Sequence, residues 1–269
     1  MSLLEIDALG VRFGQYERGL RRRTVVALSG MDLRADRGEV VALVGASGAG
    51  KTLLAHAVLG MLPPNAEESG EVRFAGEVVS PDARRALAGR ELALLPQAAS
   101  FLDPVTPVGK QVRRSARLAG AADPRAAALE ALASRGLGPE VARLHPHQLS
   151  GGMARRALAA MALMADPALV LADEPTPGLP PESVRAVLAD LRRVADEGRA
   201  VVLITHELTG ALEIADRVVI CRDGRTVDEA DPADFRGDGG ALAHPYTRAL
   251  WNALPANGFH VPGELEGER

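Results

Sequence analysis

The chain has 269 residues, with 31 basic against 35 acidic side chains and a net charge of −4; it lacks the basic footprint of a nucleic-acid binder, and no such partner is expected. Hydrophobic residues make up 47% and charged residues 25%, which excludes a largely disordered chain and leaves ample material for a core. A lone cysteine, Cys221, excludes a disulfide framework, no apolar run approaches the about 18 residues that span a bilayer, and the start lacks a secretory leader, so a soluble, intracellular chain is expected.

In chain order, Leu4, Ile6 and Ala8 alternate like an edge-type strand, and strand character continues from Val25 to Leu33. Arg37-Gly38-Glu39 turns into Val40 to Val44, an apolar, β-branched run of the kind buried on both faces of a sheet. Glycines follow, and Thr52 to Leu62 carries Leu53, Leu54, Ala57, Val58 and Met61 at helical spacing. Further buried strands are predicted at Ala168 to Ala172, Ala200 to Ile204 and Arg217 to Cys221, the last ending at an Asp223-Gly224 turn. Helices are predicted at Met153 to Met164 and Ser183 to Glu197. This alternation predicts a parallel sheet in an α/β core. Residues 108–148 carry no strand signal and read as short helices inserted into it.

The strongest local signal is Gly45-Ala46-Ser47-Gly48-Ala49-Gly50-Lys51-Thr52, between a buried strand and a helix. Glycines there let backbone N–H groups converge on phosphate oxygens at a helix N-terminus. Lys51 is placed to reach β- and γ-phosphates, and the Thr52 hydroxyl to ligate Mg²⁺. A second signal is Leu169 to Glu174, an apolar strand ending in two carboxylates. Asp173 suits the Mg²⁺ shell, and Glu174 suits polarisation of an attacking water. A third is Leu149-Ser150-Gly151-Gly152-Met153, where Ser150 caps a helix and two small residues allow close approach of an anion.

With Gln97 before the insertion and His206 in Ile204-Thr205-His206-Glu207, these motifs stand in the order and at the spacing of a known family. The chain resembles, over roughly residues 3 to 255, the ATPase subunits of ATP-binding-cassette (ABC) transporters. The resemblance implies a P-loop NTPase fold, with a RecA-like α/β core, an N-terminal antiparallel β-subdomain and an α-helical insertion. Residues 1–96 and 149–230 would form the core with its β-subdomain, 97–148 the insertion and 231–269 a C-terminal extension. It implies ATP and Mg²⁺ as ligands. Gln97 would sense Mg²⁺ and nucleotide, His206 would contact the γ-phosphate and hold the attacking water, and Ser150, Gly151 and Gly152 would close over ATP on an opposite subunit. An aromatic upstream of the phosphate loop would stack on adenine; Phe13 and Tyr16 are the candidates, with Phe13 preferred because it follows the first strand.

A narrower resemblance, to oligopeptide, dipeptide and nickel importer ATPases, rests on His145 to Met153, on Asp103-Pro104, and on His244-Pro245-Tyr246-Thr247-Arg248-Ala249-Leu250. It implies import of peptides, nickel or metal chelates, two membrane-spanning permease subunits, an extracytoplasmic binding protein, and a place on the cytoplasmic face of the inner membrane. A non-transport ABC ATPase in a soluble enzyme or repair complex is the alternative. The region around Phe101 and Leu102 would border the groove for a permease helix, so charged substitutions at either residue are expected to uncouple transport. One departure stands out: relatives carry an aspartate where this chain has Pro180, in Glu174-Pro175-Thr176-Pro177-Gly178-Leu179-Pro180-Pro181. Proline supplies neither a carboxylate nor an N–H. A heterodimer with a paralogous subunit is therefore preferred, with a homodimer as the other arrangement.

Overall fold

The structure is a computed structural model that describes residues 2–16, 22–97 and 99–257. Strands β1 (Ser2–Tyr16) and β2 (Arg22–Asp36) precede the buried β3 (Val40–Gly45), helix α1 (Lys51–Val58), β4 (Ala66–Phe74) and β5 (Glu77–Val78). Helix α2 (Pro81–Leu87) leads into β6 (Leu92–Leu95), and two helices follow, α3 (Val108–Leu118) and α4 (Pro124–Ala133). Next come α5 (Gly151–Ala162), β7 (Leu169–Asp173), α6 (Pro181–Asp196), β8 (Ala200–Thr205), α7 (Leu208–Leu212) and β9 (Arg217–Arg222). β10 (Arg225–Ala230) and α8 (Pro245–Asn252) complete the order.

The strands run β5-β4-β1-β2-β10-β9-β3-β8-β7-β6. From β6 to β9 all pairs are parallel, whereas β1, β2, β4 and β5 pair antiparallel. The antiparallel part is the expected β-subdomain, joined to the core through a bridge between Arg225 and Gly30. Every residue of β3, β7 and β8 is buried, because helices cover both faces of this sheet. Leu43, Leu171, Val202 and Ile204 pack on the side of Leu54 and Val58 from α1. Val44, Val170 and Leu203 meet Leu158 of α5 and Leu188 and Leu191 of α6 on the other. A leucine buried this completely contributes about 1.5–3 kcal/mol through water exclusion alone.

Six elements were not legible in the sequence: β4, β5, β6, β10, α2 and α7. Helix α1 also stops short of the expected Leu62, because Gly60 takes φ +64 and turns the chain. The Asp223-Gly224 turn is present, with φ +51 and +77, as a tight hairpin joining β9 to β10. In β1 the simple alternation breaks. Ala8 has φ +46 at a bulge, its N–H held by the Asp32 carboxylate at 2.7 Å, and the buried set passes from Leu4 and Ile6 to Leu9 and Val11.

The inserted helices have their own small core, in which Val108, Val112, Leu132 and Val141 pack against Ala157 and Ala160 of α5. Before α3 the chain is pinned by the buried Gln111. Its amide oxygen accepts from Asp103 N–H at 2.9 Å, and its NH₂ donates to the carbonyls of Asp103 and Thr106 at 3.0 and 2.7 Å. This arrangement leaves Phe101 57% exposed and Val105 80% exposed but buries Leu102 to 1%. The expectation that paired Phe101 with Leu102 at a surface is thus corrected: Leu102 belongs to the core, and a charge there would break packing. At the C-terminal side, Tyr246, Leu250 and Trp251 of α8 cover the second core face.

Candidate functional site

The phosphate loop owes its shape to tight packing beneath it. A Cβ on Gly45 would lie 2.3 Å from the Cys221 carbonyl oxygen, and Gly50, at φ +95, has room for none against Leu28. Gly48 is also left-handed, at φ +85. The loop is tied to the β9–β10 hairpin by Gly224 N–H donating to Ala49 O at 3.3 Å. Lys51 is buried inside the curl and donates to the carbonyls of Gly45 and Ala46 at 2.7 and 3.0 Å. An ammonium has three donors, so one is left for an anion seated in the loop.

Across the loop stand the ends of β7 and β8. Thr52 Oγ1 donates to Asp173 Oδ1 at 3.2 Å. Burial holds the Asp173 carboxyl above the usual carboxylate range, the Glu174 charge adds to this, and the Thr52 bond opposes it. Glu174 sits at φ +45, an uncommon conformation for a residue with a side chain, fixed by its N–H on Ile204 O at 2.8 Å. One carboxylate oxygen of Glu174 meets His206 Nδ1 at 2.8 Å and the other accepts from Thr205 Oγ1 at 3.4 Å. The glutamate is buried while His206 is exposed, so the pair spans the boundary from core to solvent.

These groups share one cleft of about 850 Å³, lined among others by Ser47, Gly48, Gly50, Lys51, Thr52, Gln97, Glu174 and His206. Ala46 is exposed on the loop and Ala49 is buried beneath it. The arrangement can bind a polyphosphate and bring a carboxylate base to a water beside it. Thr52 and Asp173 offer a hydroxyl and a carboxylate oxygen, donors suited to Mg²⁺, which takes few protein ligands when substrate phosphates supply the rest. Among the described residues no group of three or more His, Cys, Asp or Glu forms a metal site.

Two sets of candidates lie elsewhere. Ser150, Gly151 and Gly152 line a separate hollow of about 460 Å³ with Gly178, Leu179 and Pro180. Ser150 caps α5 by accepting from Met153 N–H at 3.2 Å, and neither glycine has a neighbour within 4 Å of a built Cβ, so this face is open. Phe13 does not line the cleft; it is half-buried and packs on the first core face. The bulge at Ala8 explains this, since it moves the inward side to the odd-numbered residues that Phe13 continues. Val26, 55% exposed, and Ala27 line the cleft there instead. The side chain of Tyr16 lies outside the described residues.

Sequence reading missed Arg155. Its guanidinium donates to Pro175 O at 2.6 Å and also to Pro177 O, strapping α5 to the segment that follows Glu174. Burial pushes its pKa down, and no carboxylate compensates. The prolines at 175, 177, 180 and 181 remove four of the seven N–H donors of that segment, Leu179 N–H turns back to Thr176 O at 3.1 Å, and the Thr176 hydroxyl faces Glu207 at 3.5 Å. Four prolines within seven residues were the only signal that an outside donor is required.

Residues 28–177 match the ABC transporter family. The chain is 34% identical to the dipeptide transport ATP-binding protein DppD of Escherichia coli, over 95% of this chain and 79% of that one. It is 36% identical to the methionine import ATP-binding protein MetN of Nocardia farcinica, over 93% of this chain and 76% of the other. A solved ATP-binding subunit of an ABC transporter superposes with a TM-score of 0.71 at 25% identity, covering 93% of this chain and 98% of its own.

Proposed function

Because the chain belongs to the ABC transporter family of ATP-binding, ATP-hydrolysing subunits, we propose that it powers an importer of short peptides, nickel or metal chelates. The observation that carries the reading is the convergence of Lys51, Thr52, Gln97, Glu174 and His206 on one cleft. Similarity to a dipeptide transport protein over nearly the whole chain favours the importer over a soluble enzyme or repair complex.

On this reading the loop amides and the third Lys51 donor hold the β- and γ-phosphates of ATP. A bound Mg²⁺ would be held by Thr52 and Asp173 with Gln97 nearby, and would neutralise charge on the phosphates. Glu174 accepts the proton of the attacking water, and its two oxygens are oriented for this by His206 and Thr205. The exposed His206 then meets the γ-phosphate side of the cleft. Val26 and Ala27, rather than Phe13, border the nucleotide where the base would lie.

Ser150, Gly151 and Gly152 line a hollow outside their own chain's cleft, which supports their use on ATP held by a second subunit. Pro180 takes φ −65 at the N-cap of α6 without a side-chain bond, and Pro181 opens the helix. A capping aspartate there would add a carboxylate facing that second subunit, so the proline favours pairing with a paralogue whose own loop is intact. Among the described residues no helix is long and apolar enough to cross a membrane; we place the chain peripherally at the cytoplasmic face of the inner membrane, against two permease subunits fed by a binding protein. The test is reconstitution with its permeases and binding protein in proteoliposomes, measuring ATP-driven uptake of labelled dipeptide and of nickel. Uptake of one or the other supports the importer. Brisk ATP hydrolysis with uptake of neither counts against it.

A further inference from the structure

The inserted segment reverses the charge of the rest of the molecule. Residues 97–148 hold seven Lys and Arg against four Asp and Glu, inside a chain of net charge −4. Four of those cations line one groove of about 420 Å³: Lys110 and Arg113 from α3, Arg125 from α4, and Arg143 from the turn after it. No carboxylate lines it, and its floor is apolar, with Leu129 and Leu132. Its wall is rigid, since Gly109 of α3 lies against Ala142 so closely that a Cβ would come within 2.7 Å.

Several arginines elsewhere are neutralised locally. Arg135, just outside the groove, pairs with Asp190 at 3.5 Å, and Arg192, Arg199 and Arg217 each bind two carboxylates. Among the described residues none of the four groove cations makes an ion pair or a side-chain hydrogen bond, and Arg113 Nε is buried with no partner. A buried guanidinium nitrogen left unbonded costs free energy unless a ligand supplies an acceptor. Like charges converging from three elements also repel one another until an anion lies between them.

We infer that this groove binds a phosphate-bearing anion. Tetrahedral oxygens suit the forks of several arginines at once. The apolar floor accommodates the organic part of an ester. The phosphate is carried by an anionic phospholipid headgroup or by a small soluble molecule, and both have the same chemistry at the cations.

The experiment uses the whole chain with its nucleotide cleft kept filled by Mg²⁺ and ADP. Binding is measured to phosphatidylglycerol–phosphatidylcholine vesicles, to phosphatidylcholine vesicles alone, and by calorimetry to inorganic phosphate. Two double variants carry the same charge change: R113Q/R125Q inside the groove and R114Q/R117Q on the exposed side of α3. R143Q is an independent third variant, and unchanged ATP hydrolysis confirms folding. The expected result is binding to phosphatidylglycerol vesicles or to phosphate that weakens about tenfold or more in R113Q/R125Q, weakens in R143Q, and persists in R114Q/R117Q. Binding to vesicles only assigns the lipid; binding to phosphate assigns the soluble source. Absence of binding to every probe, or equal loss in both double variants, overturns the site.

Discussion

Replacing Arg155 by alanine removes the two bonds that strap the segment after Glu174 to α5. Pro175 is buried, and the prolines around it offer no N–H to take the vacated carbonyls. Leaving such a carbonyl unbonded costs about 1–3 kcal/mol. That strain falls next to the residue whose backbone already sits at φ +45. If half of it, about 0.5–1.5 kcal/mol, reaches the placement of the Glu174 carboxylate, kcat falls about 2- to 12-fold, since 1.4 kcal/mol is one decade in rate. The nucleotide cleft does not include Arg155, so KM for ATP should stay within about twofold. Arg155→Lys keeps the charge but cannot fork two carbonyls, and should recover only part of the loss. The assay is steady-state ATP hydrolysis by the assembled subunits, with thermal melting alongside. A wild-type kcat in Arg155→Ala, or a loss shared equally between kcat and KM, refutes the reasoning.

Because burial and the Glu174 charge raise the Asp173 pKa, protons compete with Mg²⁺ for this carboxylate sooner on acidification than for an ordinary one; the Mg²⁺ needed for half-maximal ATPase should climb as pH falls from neutrality, and a flat dependence contradicts it. Gly45→Ala drives a methyl into the Cys221 carbonyl and should cost about 1–3 kcal/mol in denaturant unfolding; an unchanged midpoint would mean β3 and β9 part more easily than their packing indicates. Cys221 is fully buried and its thiol is pushed up to about 11 from 9.0, so the unfolded chain loses this proton first. Stability therefore falls as pH rises from about 9 to about 11, by at most about 3 kcal/mol, and alkylation of the folded chain at neutral pH should be negligible; a Cys221→Ala variant with the same alkaline limb would assign that loss to other groups.

What the sequence disclosed is local chemistry. Val40 to Val44 and Leu169 to Ala172 are unbroken apolar runs, and glycines, Lys51 and paired acids at their ends leave little choice about where a phosphate goes. β4 was hidden because Ala66–Phe74 carries three glutamates and a glycine and buries only Val72 and Phe74; it is a strand because β1 offers a partner edge. Phe13 was preferred for following the first strand, a reading blind to the bulge at Ala8, which Asp32 sets from twenty-four residues away, and the structure packs its ring on the first core face. Leu102 gave no periodic signal, and its burial follows from Gln111 pinning the loop. Arg155 acquires its role only when α5 and the proline-rich segment are brought together, which no window of sequence contains.

The central claim is that Glu174, held by His206 and Thr205 beside the phosphate loop, accepts the proton of the attacking water. Its most direct test is single-turnover ATP hydrolysis by Glu174→Gln, with equilibrium ATP binding measured on the same preparation. The amide keeps the size and one oxygen but cannot take the proton. The account predicts ATP affinity within about twofold of wild type and hydrolysis slowed at least about 100-fold. Hydrolysis at the wild-type rate by that variant would contradict it.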